Sequence, residues 1–459
     1  MSAVMTQISW SELAEIVGQE HLRAATTADG IDGVAPQMVA EPGTAEDLAR
    51  ALRWAHDAGL KVVPRGGGTK LGWGNPPAAC DLMLSTARLN RVLEHAWADM
   101  TVIVEAGCRV ADLQKTLAEH GQRLALDPLW PERATIGGIL STNDSGTLRL
   151  RYGSLRDLVI GITVALPDGT LAKSGGKVVK NVAGYDLAKL FTGAMGTLGV
   201  IVQAVFRLHP LPRESRSLSF SGTPESLNQL LLAIQASKLT PTGLQLRAEP
   251  GNAQLDMRFD GTAAGIEAQI KQVQQIAGSI AGADAPAGVW ASHQAIWDGA
   301  QPALVAKFSV LPSQIATTCA AVKRAAEAQS LAWKVVAQSV GAGYARLEVA
   351  KQAGNEQASE QPLRAALVSL RKEIVKLGGT IVALGCPVAI KRGLPPQQAK
   401  TGLAGDPGLP PQQAKTGLAG DPGLDVWGLA SDAQPLMVRI KQRFDPGGTL
   451  NPGRFIGGI

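Results

Sequence analysis

The chain is 459 residues long and carries 44 Lys and Arg against 39 Asp and Glu, a net charge of +5. Such a length exceeds what one hydrophobic core organises, so two domains are expected, or three, and the scattered charges form no basic arm that would suit a nucleic-acid partner. Cys80, Cys108, Cys319 and Cys386 form no CxxC pair to begin a zinc or iron–sulfur site, and read as buried free thiols in a reducing cytosol.

Residues 1–33 read as a helical extension whose first part, Met1 to Gly18, lacks the basic cluster and continuous apolar run of a secretory signal. Nowhere is there a run of about 18 apolar residues, so no membrane span is expected. Thr44 is an N-cap candidate for an amphipathic helix over 45–58, with Leu48, Ala51, Leu52 and Ala55 on its inner face. A short strand at 61–64 runs straight into Gly66-Gly67-Gly68, which places the turn at a strand's carboxyl end. A strand at 101–105, a helix at 110–120 and a strand at 124–126 follow, then Asp127-Pro128. The run 158–166 is a strand closed by the tight turn Pro167-Asp168-Gly169.

From Ser217 the order becomes strand, helix, strand, strand, helix, and it recurs from Ala303, as two ferredoxin-like halves would require. Helices are expected at 225–236, 263–276, 314–328 and 363–377. Residues 393–407 and 408–422 are identical copies of a Gly- and Pro-rich segment, read as a duplicated surface insertion; two copies are too few for a solenoid. A helix at 435–443 and a turn-rich tail through Leu450-Asn451-Pro452-Gly453 close the chain.

Gly66, Gly67 and Gly68 let backbone N–H groups approach a diphosphate without Cβ obstruction; a tight turn needed for packing is the competing account. There is neither a GxxxxGK[ST] nor a GxGxxG, so P-loop and Rossmann sites are disfavoured. The stretch from Thr135 to Gly146 joins paired glycines to Ser141, Thr142, Asn143 and Ser145, and Gly199-Val200-Ile201 leads into a β run. Arg65 either meets a phosphate or caps the turn. Lys173 and Lys177 either meet an anion or are solvated.

In this order and at these separations, the three segments resemble the FAD-binding domain of the vanillyl-alcohol oxidase and para-cresol methylhydroxylase superfamily. Within it, Val62 to Pro77, Val178 to Asp186 and Leu450 to Gly453 are similar to the FAD-binding subunits of bacterial glycolate oxidase, also called glycolate dehydrogenase. The resemblance implies an α+β fold: an FAD-binding domain over 34–212, an α+β cap over 213–390, the insertion over 391–424, and a segment over 425–459 packing back on the FAD domain. It implies FAD contacts from Pro64, Arg65, Gly66, Gly67, Gly68, Thr69 and Lys70, from Asp127 and Pro128, from Ala134, Thr135, Ile136, Gly137, Gly138, Ser141, Asn143 and Gly146, and from Gly199, Val200 and Ile201. Thr69 and Lys70 stand where some members tether the flavin through a histidine, so the FAD is expected to be non-covalent.

Catalytic relatives that oxidise 2-hydroxy acids place several histidines in the cap, whereas here the cap has His293 alone, either a lone base or a core-satisfied residue. Ala194-Met195 also stands where those relatives carry a Ser-Glu pair. No metal site is expected and no catalytic residue is assigned. The resemblance thus implies a flavin subunit working with a catalytic flavoprotein and an iron–sulfur subunit on glycolate or D-lactate, cytoplasmic and reaching a membrane quinone only through partners. Two alternatives remain, a self-sufficient D-2-hydroxy-acid dehydrogenase and an assembly subunit that has lost FAD.

Overall fold

The computed structural model describes residues 9–177, 184–349, 356–392, 424–428 and 432–459. The duplicated segment and most of Val178 to Asp186, namely 178–183, lie outside the described residues. Four strands form the first sheet: β1 (Leu22–Ala24), β2 (Met38–Ala40), β3 (Val62–Arg65) and β4 (Leu82–Ser85). Their order is β1-β2-β4-β3, with β2, β4 and β3 parallel. The extension over 1–33 is therefore not simply helical: beyond the helix Ser11–Val17 it supplies β1, which pairs with β2. The helix Ala45–Asp57 connects β2 to β3, with Thr44 Oγ1 accepting from the Asp47 amide at 3.0 Å and Leu48, Ala51, Leu52 and Ala55 fully buried.

The chain next supplies β5 (Val92–Ala96), β6 (Thr101–Glu105), β7 (Gln122–Arg123), β8 (Val159–Ala165), β9 (Leu171–Gly175), β10 (Val200–Arg207) and β11 (His209–Pro210). β5, β6, β10, β8 and β9 make a five-stranded antiparallel sheet in that order, and β7 pairs with β11. The expected strand at 124–126 does not form. Gln114, on the helix Val110–Ala118, donates to the Leu124 carbonyl and accepts from its amide, so a side chain takes the hydrogen bonds a neighbouring strand would have needed.

The remaining strands, β12 (Glu214–Ser221), β13 (Gly243–Glu249), β14 (Asn252–Gly261), β15 (Gly282–Asp284), β16 (Ala303–Ser309), β17 (Leu331–Gln338), β18 (Ala342–Val349) and β19 (Thr380–Gly385), form one eight-stranded antiparallel sheet. Its order, β15-β12-β14-β13-β17-β18-β16-β19, is two βαββαβ units joined through β13 and β17. The helices Pro224–Ala236, Ala263–Ala277, Ile315–Glu327 and Glu356–Lys376 fill the helical places in that pattern. After the helix Gln434–Phe444 the tail returns to the first sheet, where Leu450 bridges Val62 and the Asn451 amide donates to the Val62 carbonyl. All four thiols lie in the described residues, and burial raises them to about 12 for Cys80 and Cys319 and about 11 for Cys108 and Cys386. Among the described residues, no helix is long and apolar enough to cross a membrane.

Candidate functional site

β3 ends at Arg65, and its glycine turn runs against the segment Arg133–Thr135. A Cβ on Gly66 would lie 2.1 Å from Thr135 Oγ1, and one on Gly67 would lie 1.8 Å from the Arg133 carbonyl oxygen. The Gly67 amide donates to Thr135 Oγ1 at 3.4 Å. These two glycines are thus needed first for protein packing: their absent side chains let two bends of backbone touch, and the groove beside them keeps its shape.

That groove has a volume of about 720 Å³ and four banks. Pro64, Arg65, Gly66, Gly67, Gly68, Thr69 and Lys70 form one; Thr135, Gly137, Gly138 and Ser141 the second; Gly199, Val200 and Ile201 the third, with Met195 and Gly196; and Asn451 and Arg454 the fourth. Fourteen residues selected from sequence therefore meet in one place. Six others do not line it. Ala134 and Ile136 are fully buried behind the wall, Pro128 is buried, and Asn143 ends the helix Ile136–Thr142 at φ +48° with its Oδ1 enclosed and unpartnered. Asp127 turns inward, its carboxylate accepting from the Thr147 and Leu148 amides and the Thr147 hydroxyl. Gly146 passes so close that a Cβ there would sit 2.3 Å from the Asp127 carbonyl oxygen. These six support the wall from behind.

Three cations border the groove, each held differently. Arg65 donates to Asp29 at 2.8 Å, and Asp29 is also gripped by Arg23 at 2.8 Å and by Thr26. Hydrogen bonding from Arg23, with further help from Thr26 and Arg65, holds the Asp29 carboxyl well below the usual carboxylate range. Lys70 forms a buried pair with Asp144 at 3.1 Å. Arg454, only 3 % exposed, donates to the Leu71 and Trp73 carbonyls, has no carboxylate within ion-pair distance among the described residues, and leaves Nε unpartnered. Burial lowers its pKa to about 10. Asp32 favours its charge from a distance, but a buried guanidinium with no carboxylate paired to it stays costly unless an anion joins it, and a dinucleotide diphosphate is such an anion. Asn451 Nδ2 donates to the Met195 carbonyl at 2.7 Å, while its Oδ1 is enclosed and free. Arg454, Asn451 and Met195 were missed as site residues in the sequence, where the one signal was the Asn-Pro-Gly tail preceding an arginine.

Beyond Lys70 and Met195 the groove abuts a junction with the eight-stranded sheet. Trp73 stacks on Trp297 at 5.7 Å, Trp130 meets Trp297 edge-on at 5.1 Å, and Tyr344 of β18 packs on the same cluster. The Trp73 and Trp297 indole nitrogens and the Tyr344 hydroxyl are enclosed without partners, and burial raises Tyr344 well above its usual pKa. His293 lies at the same junction with both ring nitrogens facing carbonyl oxygens, Trp290 at 2.9 Å and Asp127 at 3.1 Å. It is a docking residue whose two ring nitrogens both meet main-chain carbonyls. Met195, at φ +54°, donates its amide to the Ser141 carbonyl. Lys177 pairs with Glu94 at 2.6 Å, and Lys189 holds Asp186 at 2.9 Å. Among the described residues, no group of three or more His, Cys, Asp or Glu could hold a metal.

Comparison with known proteins agrees with this arrangement. Residues 36–175 match the family described as FAD binding domain, and residues 230–383 the family of FAD linked oxidases, C-terminal domain. Over 216 residues the chain is 33% identical to glycolate oxidase subunit GlcD of Bacillus subtilis, covering 47% of this chain and 46% of that protein. Over 267 residues it is 32% identical to a mitochondrial D-lactate dehydrogenase [cytochrome] of Arabidopsis thaliana, covering 54% and 46% respectively. The matched part thus spans about half the length of these relatives. Among solved structures, p-cresol methylhydroxylase with substrate bound superposes with a TM-score of 0.73 over 97% of this chain and 95% of that one, at 14% identity. Alkyldihydroxyacetonephosphate synthase does so with a TM-score of 0.69 over 98% and 86%, at 18% identity. With an FAD-binding domain over residues 36–175 and an FAD-linked oxidase C-terminal domain over residues 230–383, the chain carries both kinds of domain found in FAD-linked oxidases, and FAD is its cofactor.

Proposed function

We propose that this chain is the FAD-carrying subunit of a complex that oxidises glycolate, and D-lactate with it, to the 2-oxo acid. In this reading a sister flavoprotein removes the hydride, an iron–sulfur subunit carries electrons onward to a quinone, and the chain meets the membrane only through those partners. The FAD supplies electron storage, and the chain's own residues bind and shield it. Gly66 to Thr69 and Thr135 to Gly138 take the diphosphate, Gly199 to Ile201 the adenine end, and Lys70, Met195 and Asn451 the flavin end. Arg454 adds a buried positive charge.

The observation that carries this reading is His293. It is the one histidine of the cap, and both of its nitrogens are committed to main-chain carbonyls, so nothing there resembles the multi-histidine arrangement of hydroxy-acid enzymes. A second reading, a self-sufficient D-2-hydroxy-acid dehydrogenase, draws on the unpartnered Tyr344 hydroxyl and Trp297 N–H at the junction, donors that a small carboxylate would satisfy. One experiment separates the two. The purified, FAD-replete chain is mixed anaerobically with glycolate or D-lactate: an unbleached flavin that bleaches once the co-purifying flavoprotein is added supports the subunit reading, and bleaching by the chain alone overturns it.

A further inference from the structure

We infer that Lys70, held by Asp144 between two indole rings, is a fixed counter-charge that stabilises the reduced, electron-rich flavin, and so sets the potential at which this chain holds electrons. The inference rests on the FAD reading of the groove. Lys70 lines the groove, yet its ammonium is buried. It lies 3.1 Å from Asp144 Oδ2, 5.4 Å from the Trp130 ring centroid and 5.6 Å from that of Trp73. An ammonium has three N–H donors. Its other two acceptors, Thr69 Oγ1 at 3.4 Å and the Leu129 carbonyl at 3.5 Å, are long and therefore weak. Asp144 is held in turn, its Oδ2 accepting from the Leu129 amide at 2.9 Å while Oδ1 has no partner.

Burying an ion pair is weak evidence of a stability role, because desolvation offsets the attraction. Placed on the wall of a cofactor groove, the same pair changes the energy of any charge that develops beside it, and low polarizability around it lengthens its reach. Groove geometry assigns the end it acts on. Gly199 to Ile201 lie on the bank leading into β10, whereas Lys70 sits over the Trp73 and Trp130 rings and Met195 packs in the same aromatic cluster, whose rings suit a tricyclic face. Two-electron reduction adds negative charge to the flavin. A nearby cation favours that state, and the Asp144 carboxylate moderates the effect. Lys307 of β16, which packs over the Tyr344 ring at 6.0 Å and is within electrostatic range of Asp144, is not on the groove wall and serves as a comparison.

The test is a spectroelectrochemical titration of the FAD-loaded chain and of three variants, after flavin content has been measured for each. Lys70→Met is expected to lower the midpoint so that at fixed potential the reduced-to-oxidised ratio falls about tenfold, near 30 mV for a two-electron couple. Asp144→Asn is expected to raise it, and Lys307→Met to move it less than Lys70→Met. Opposite signs for Lys70→Met and Asp144→Asn cannot come from loosened packing, which would push both the same way. An unchanged midpoint in Lys70→Met with full flavin, or a shift of the same sign in both, overturns the inference. Should Lys70→Met fail to fold, Lys70→Gln replaces it. A wild-type chain that binds no FAD after reconstitution overturns the FAD reading instead.

Discussion

The carbonyl oxygen of Arg133 sits 1.8 Å from where a Cβ on Gly67 would have to be. Two bends distant in sequence are thus in backbone contact at the mouth of the groove, and no side chain can be added there without driving them apart. Gly67→Ala is expected to be purified without flavin and with a lowered thermal midpoint. Gly68→Ala is the control. That residue has φ +71° with its nearest neighbour 3.8 Å away, so in the flavin-free chain it costs only the left-handed strain of about 1–2 kcal/mol and should lower the thermal midpoint less than Gly67→Ala. Equal thermal midpoints in the two flavin-free variants would remove the packing argument.

Asp29 offers a pH test. Its folded pKa is depressed chiefly by Arg23, and also by Thr26 and Arg65, so its contribution is complete at neutral pH and is lost as pH falls below the unfolded value of about 4. Asp29→Asn should cost on the order of 1–3 kcal/mol at neutral pH and give a shallower loss of stability on the acid side. Urea unfolding across the acid range measures both, and parallel acid limbs would refute the assignment.

Arg454→Met removes the guanidinium that lacks a carboxylate. FAD affinity is expected to fall at least tenfold, about 1.4 kcal/mol, in a fluorescence titration. Arg454→Lys should recover only part of it, since the planar fork that reaches Leu71 and Trp73 is gone. An affinity unchanged in both would show that the buried charge is satisfied without the nucleotide.

His293→Gln tests docking against catalysis. Loss of the contact to the Asp127 carbonyl should cost about 1–2 kcal/mol and speed amide exchange around Leu129 and Trp130, the latter held by Gln294 Oε1 at 3.1 Å. The pH profile of flavin reduction should stay as in the wild type. A lost alkaline or acid limb would make His293 a base after all.

What the sequence disclosed was what short-range chemistry decides. The helix Ala45–Asp57 begins at Thr44 because a threonine hydroxyl can meet an amide three residues on, and the doubled βαββαβ order follows from alternation and length alone. Gly66 and Gly67 were legible as glycines at a strand's end, but not the reason for them, which lies across the groove in Arg133 and Thr135. Leu124 to Leu126 misled because the Gln114 side chain imitates a strand partner, an arrangement with no local signature. The Arg65–Asp29 pair and the placement of Arg454 bring together residues far apart in the chain, so only tertiary structure reveals them.

Leu450 and Asn451 bond to the same strand that carries Arg65 into the glycine turn. The groove is therefore incomplete while the polypeptide is still emerging from the ribosome: until residues 450–454 have been translated, one bank does not exist. On the FAD reading of the groove, flavin capture is expected to follow synthesis of that tail, and a message cut short before it is expected to yield a colourless product even with every glycine in place.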